Sequence, residues 1–318
     1  MMTLSSLMIA VSAVAGFVAF GIGCAWVFAR LYCMPRRRPL TTTPADHGLP
    51  FRPVSFTSHG IPLHGWFIPV DERVTPRHSI IVAHGWSSNA SEMLPVARQL
   101  HTAGFGVLLY DARGHGASDS DDPITIRTFA DDMLAAVDYL QDLPDVDSSR
   151  LGVIGHSIGG ASAILAASVE PRIRVVVSTS AFADPVTLTR NVMRALHIPR
   201  GLFLWLVCRF IERWLGTTMD DSSPRNRIPE LTVPLLLIHG ASDRFVPPSN
   251  MDALYARADR DRTRTWLIPG RRHWDVILDP EYGARVIGFL REHLSQTLPE
   301  GHQPTRTSSP LLAVEATL

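Results

Sequence analysis

Leu151-Gly152-Val153-Ile154-Gly155-His156-Ser157-Ile158-Gly159-Gly160-Ala161-Ser162-Ala163 is the stretch that decides the fold. Within it, Gly155 to Gly159 form a Gly-x-Ser-x-Gly pattern, in which the glycines permit a sharp strand-to-helix turn that presents the serine hydroxyl. Such a pattern arises by chance in about one protein of this length in ten, so its surroundings carry the weight. Here an apolar run, LGVIG, reads as a buried strand before the serine, and Gly160 to Ala163 are small enough for a helix to pack tightly on that strand. This context makes Ser157 the candidate nucleophile.

Outward from this point, apolar runs alternate with amphipathic segments. Strands are expected at Ser79 to Ala83, Gly106 to Tyr110, Leu151 to Gly155, Arg174 to Ser178, Pro234 to Ile238 and Thr265 to Ile268. Helices are expected at Ala90 to Thr102, Ile124 to Leu140, Ile158 to Ser168, Ser249 to Ala258 and Tyr282 to Leu294, from apolar residues at three- and four-residue spacing. The alternation implies an α/β fold with a mostly parallel sheet covered on both faces. Before it, Val54 to Thr57 and Leu63 to Ile68 flank Ser58-His59-Gly60 as an antiparallel hairpin. Between Asp184 and Leu231 the rhythm breaks at GLFLWLVCRFIERWL, which reads either as a helical cap over the sheet or as an amphipathic helix packed on the core. Periodicity alone does not separate these two.

A serine hydroxyl is a weak nucleophile at neutral pH and needs a base within hydrogen-bond reach, oriented in turn by an acid. Asp243 lies in a loop just after the strand PLLLI, and His273 lies in the loop after TWLI, so both project at the carboxyl edge of the sheet. The order Ser157, Asp243, His273 is nucleophile, acid, base. Asp184, just beyond RVVVS, is the rival acid, and Asp275 a weaker one. Of the 13 histidines, His84, His115, His156 and His239 read as structural.

These segments resemble the α/β-hydrolase superfamily, especially its membrane-anchored or lipase-like bacterial serine hydrolases, over Val54 to Leu294. His84-Gly85-Trp86 resembles the family's oxyanion loop, and Asp111-Ala112-Arg113-Gly114-His115-Gly116 its Asp-x-Arg-Gly-His-Gly turn. The resemblance implies an oxyanion hole built from the backbone amides of Trp86 and Ile158. Asp111 and Arg113 are expected to brace their turn through an ion pair or hydrogen bonds. The expected chemistry is hydrolysis of an acyl or lipid-like carboxylic ester through an acyl-enzyme. A peptidase or thioesterase with the same triad, or a silent binding protein on the same fold, stays open.

The rest of the chain sets boundaries. Lysine plus arginine equal aspartate plus glutamate at 30 each among 318 residues, so no global field favours nucleic acid. Cys24, Cys33 and Cys208 lie far apart, which indicates neither a disulfide framework nor a zinc site. No metal motif or phosphate loop points to a cofactor. Leu7 to Ala29 carries no charge and is long enough to cross a bilayer. Its start lacks the basic residues of a signal peptide, and Arg30, Arg36, Arg37 and Arg38 beyond it place that flank, and the catalytic domain, in the cytoplasm. Residues 1–35 are thus expected as a membrane anchor, 36–53 as a tether, 54–298 as the hydrolase domain with its cap at 184–231, and 299–318 as a disordered tail. A small-residue stripe at Ala15, Ala19 and Gly23 could pair helices, but the oligomeric state is unreadable.

Overall fold

The uncharged N-terminal run folds as one helix, α1 (Leu4–Tyr32), whose start is capped by the Thr3 hydroxyl accepting from the Ser6 N–H. The computed structural model describes residues 3–71, 78–121, 123–144, 146–147, 149–198 and 201–295; the C-terminal segment expected to be a disordered tail lies outside them. β1 (Arg52–Ser58) and β2 (Ile61–Ile68) form the expected hairpin. Its two-residue turn, His59 and Gly60, has φ of 50° and 82°, the geometry that suits the right-handed twist of paired strands.

The alternation then runs through β3 (Ser79–Ala83), α2 (Leu94–Thr102), β4 (Gly106–Tyr110), α3 (Ile126–Gln141), β5 (Leu151–His156), α4 (Ile158–Ala167) and β6 (Ile173–Thr179). Helices α5 (Pro185–Ala195), α6 (Leu202–Leu215) and the single turn α7 (Pro224–Arg227) interrupt it. It resumes with β7 (Leu235–Gly240), α8 (Ser249–Tyr255), β8 (Thr263–Ile268) and α9 (Tyr282–Leu294). The strands make one sheet in the order β1-β2-β4-β3-β5-β6-β7-β8. Pairings from β4 onward are parallel, and β1–β2 and β2–β4 are antiparallel.

Side chains alternate between two buried layers. Ile81, Val153, Val176 and Leu237 face α3 and α4 through Phe129, Met133 and Ile164. Ile80, Val82, Ile154, Val175 and Val177 face α2 and α9 through Leu94, Leu100, Val286 and Leu290. Burial on both faces is why these strands read as unbroken apolar runs.

Residues 36–53, expected as a tether, lie against the rest of the protein. Asn89 Nδ2 donates to the Arg38 and Pro39 carbonyls at 3.3 and 3.0 Å, the Arg36 N–H donates to Ser87 Oγ at 2.9 Å, and Pro44 and Leu49 are buried. A Pro/Thr-rich composition signals the lack of regular structure, not the lack of contacts. Periodicity also left open what the apolar face of the helix between Asp184 and Leu231 meets. The buried face of α6 (Leu204, Val207, Cys208, Ile211) lies in a separate cluster with Ala25, Ala29 and Cys33, so its partner is the end of α1.

Candidate active site

Register places the working loops at one edge of the sheet. Ala83 pairs with Gly155, Gly155 with Ser178, and Thr179 with Ile238. The chain leaving β3 therefore carries Trp86, the chain leaving β5 carries Ser157, and the loops after β7 and β8 carry Asp243 and His273 beside them.

Ser157 turns the corner between β5 and α4 at φ 56° and ψ −119°, a conformation that costs an L-residue of order 1–3 kcal/mol. Its N–H is tied to the Thr179 carbonyl at 2.8 Å. The flanking glycines are required by proximity: a Cβ on Gly155 would collide with the Gly159 backbone, and one on Gly159 with the carbonyls of Ala83 and His84. The pattern thus brings α4 close enough to aim the serine.

Ser157 Oγ lies 3.0 Å from His273 Nε2, and His273 Nδ1 lies 2.7 Å from Asp243 Oδ2. All three side chains are buried. Asp243 Oδ1 accepts from the N–H groups of Phe245 and Val246 at 2.9 and 2.8 Å. Its Oδ2 also faces His239 Nε2 at 3.3 Å. Burial alone would raise this carboxyl, but the hydrogen bonds from His239, His273 and the Val246 amide hold it well below the usual carboxylate range. A carboxylate in this position keeps the proton of a neutral His273 on Nδ1, leaving Nε2 free to accept from the serine.

Asp184 is occupied elsewhere. It caps α5 by accepting from Val186 and Thr187, and Arg225 pairs with its Oδ2 at 3.2 Å. Asp275 accepts from the Arg272 N–H. Among the described residues, only Asp243 carries a carboxylate hydrogen-bonded to His273. Trp86 and Ile158 line the cavity in front of Ser157, and among the described residues their N–H groups have no acceptor.

Three further histidines near the site make defined hydrogen bonds. His84 Nδ1 donates to Gly85 O and Nε2 accepts from Ala112 N–H, while His115 does the same between Arg113 O and Ser87 N–H. Burial lowers them to about 4 and about 3, so both stay neutral. His156 Nε2 donates to the His273 carbonyl at 2.8 Å, and burial, helped by His273, lowers it to about 4. Asp111 and Arg113 brace the turn without pairing to each other. Asp111 accepts from Ala90 and Ala117 N–H groups, whereas Arg113 reaches Asp132, Asp121 and Ser58.

Three contributors escaped the sequence. His239 stands four residues before Asp243 and steadies it, a link only the loop geometry reveals. Phe245 and Trp274 lie edge-on to His273, with ring centroids 5.1 and 4.7 Å away. The end of α1 and the two residues after it, Leu31 to Met34, border the cavity of about 360 Å³ that opens onto Ser157. That volume lies in the usual range of about 300–1,000 Å³ for a small-molecule site.

Fold and geometry together define a hydrolase-type α/β protein. The family model described as serine aminopeptidase, S33, matches residues 74–223, which include Ser157 but stop short of Asp243 and His273. The uncharacterized protein YfhR of Escherichia coli O157:H7 is 31% identical over 255 residues, covering 76% of this chain and 81% of that protein. Protein bem46 of Schizosaccharomyces pombe is 24% identical, over 79% of this chain and 80% of its own length. Among solved structures, the Pyrococcus furiosus esterase Pf2001 superposes with a TM-score of 0.66 at 26% identity, covering 82% of this chain and 99% of that one. The chain belongs to the α/β-hydrolase superfamily.

Proposed function

We propose that this protein is a serine hydrolase that cleaves carboxylic esters with an acyl or lipid-like acid part. The observation that carries the reading is the chain of contacts Ser157 Oγ, His273 Nε2 and Nδ1, Asp243 Oδ2 at 3.0 and 2.7 Å, opening onto an apolar cavity. His273 takes the Ser157 proton as Oγ bonds to the ester carbonyl carbon. The carbonyl oxygen gains negative charge and is held by the Trp86 and Ile158 N–H groups. Collapse of this intermediate breaks the bond to the alcohol, which leaves with the proton from His273. Water, deprotonated by His273, then attacks the acyl-Ser157 carbonyl and releases the acid. Asp243 stabilises the imidazolium formed in each half.

Ester cleavage is favoured over aminopeptidase action by the cavity walls. An aminopeptidase must hold a substrate ammonium, and among the described residues bordering the cavity none is acidic. The similarity to an esterase points the same way. The test is labelling by a fluorophosphonate probe together with hydrolysis of p-nitrophenyl butyrate. Ser157→Ala is expected to abolish labelling and to lower kcat by at least ~10³-fold; retention of both would sink the nucleophile assignment.

α1 is long and apolar enough to cross a membrane. We assign it as a retained single span with the catalytic domain in the cytoplasm, because Arg36, Arg37 and Arg38 follow it. Ala25, Ala29 and Cys33 are buried against α6, so cleavage as a signal peptide would strip an apolar face from the cap. Protease added to intact cells should spare the domain, and its digestion from outside would reverse the orientation.

A further inference from the structure

The cavity in front of Ser157 has a wall that the hydrolase sheet does not provide. Leu31, Tyr32, Cys33 and Met34 border it together with Leu188 and Thr189 of α5. This wall is fixed in place. Thr189 Oγ1 donates to Tyr32 Oη at 3.3 Å, the Ile124 N–H donates to the Cys33 carbonyl at 2.8 Å, and Ala25 and Ala29 are fully buried against α6.

The length of α1 says where this wall sits. Only its first 20 residues, Leu4–Gly23, stand clear of the rest of the protein, and at 1.5 Å per residue they span about 30 Å, the thickness of the hydrocarbon core. The helix therefore leaves the bilayer where it meets the cap. Beyond Gly23, Trp26 and Trp205 are 47% and 56% exposed, and Leu31, Leu196 and Leu202 are exposed as well. Exposed tryptophans beside an apolar collar suit the headgroup boundary of a membrane.

We propose that α1 is part of the acyl-binding pocket as well as an anchor, and that the substrate is a long-chain acyl ester drawn from the bilayer surface. Its chain lies against Leu31 to Met34 with its carbonyl at Ser157. The proposal rests on the serine-esterase reading and gives that reading its substrate class. Such a chain carries no charge for the cavity to satisfy, and the described residues bordering it are almost all apolar.

The full chain in phosphatidylcholine nanodiscs provides the test, with p-nitrophenyl butyrate, octanoate and palmitate as probes. For the wild type, kcat/KM should rise with chain length by up to roughly fourfold per methylene buried. Leu31→Trp, which intrudes from α1, should cut the palmitate value by about tenfold or more. The deciding quantity is the ratio of the palmitate to the butyrate value in the same variant, which should fall by about tenfold, since a longer acyl chain meets more of that wall. A flat chain-length profile, or a Leu31→Trp loss equal for all three esters, would overturn the pocket assignment while leaving the esterase reading intact. Absence of both labelling and hydrolysis in the wild type would overturn the two together. For the bilayer source, brominated phosphatidylcholine should quench the emission component lost in Trp205→Phe; an unquenched Trp205 contradicts a cap at the membrane surface.

Discussion

Asp243 gathers the Phe245 and Val246 amides on one oxygen and His239 and His273 on the other. Asp184 spends its oxygens on the first turn of α5 and on Arg225. The two carboxylates therefore differ in what they touch. Asp243→Asn should lower kcat on p-nitrophenyl butyrate by roughly 10⁴-fold, because an amide favours the wrong His273 tautomer and cannot stabilise the imidazolium. Asp184→Asn keeps an equally good helix cap and should change kcat by less than about twofold, with a stability cost of at most ~1 kcal/mol from the exposed Arg225 pair. Steady-state rates of the two variants decide the matter, and the reverse ranking would move the acid role to Asp184. The meeting of Ser157, Asp243 and His273 was legible in the sequence because each follows an apolar strand, and strand ends of a parallel sheet converge. His239 was not, because its effect depends on how the loop after β7 folds back on its own strand.

At the scale of elements, the strands were legible and the partners of the helices were not. LGVIG, GVLLY and PLLLI read as strands because β5, β4 and β7 are covered on both faces, which leaves no polar alternation to misread. α6 shows an apolar stripe that any apolar surface could cover, and its partner, α1, lies about 180 residues earlier in the chain. Periodicity describes one face of one helix and carries no information about the surface it meets. The joint is open to a direct test. Ala25 and Ala29 have no exposed surface, so Ala29→Trp has to push α6 away, at a typical overpacking cost of ~1–3 kcal/mol. Hydrogen exchange in mild detergent should then quicken across Leu202–Leu215 while β5 and β6 keep their protection. Unchanged exchange in α6 would mean that the two helices are not packed as described.

For the whole molecule, the buried histidines around the site set how stability responds to acid. Burial depresses His84 and His156 to about 4 and His115 to about 3, against about 6.5 in an unfolded chain. Above pH ~6.5 these rings are neutral in both states and contribute no slope. As the pH falls from there toward about 4, the unfolded chain binds protons that the folded one refuses, so stability falls; below about 4 the folded rings protonate too and the loss levels off. For His156 the full shift corresponds to a loss on the order of 3 kcal/mol. Asp131 works in the opposite sense, since burial raises it to about 6 and the folded state holds its proton, and burial raises Asp111 and Asp132 likewise; these carboxyls offset part of the loss, to which His78 and His293, also lowered by burial, add. The depressed Asp243 carboxyl adds its own loss only at lower pH, below the ordinary carboxylate range. Thermal melts of detergent-solubilised protein should therefore show Tm falling between pH ~6.5 and ~4. His156→Gln, whose amide can still donate to the His273 carbonyl, should flatten that fall because one titrating ring is gone. An identical slope in the variant would show that His156 binds its proton as readily folded as unfolded, and so that the ring is not held neutral behind Ser157.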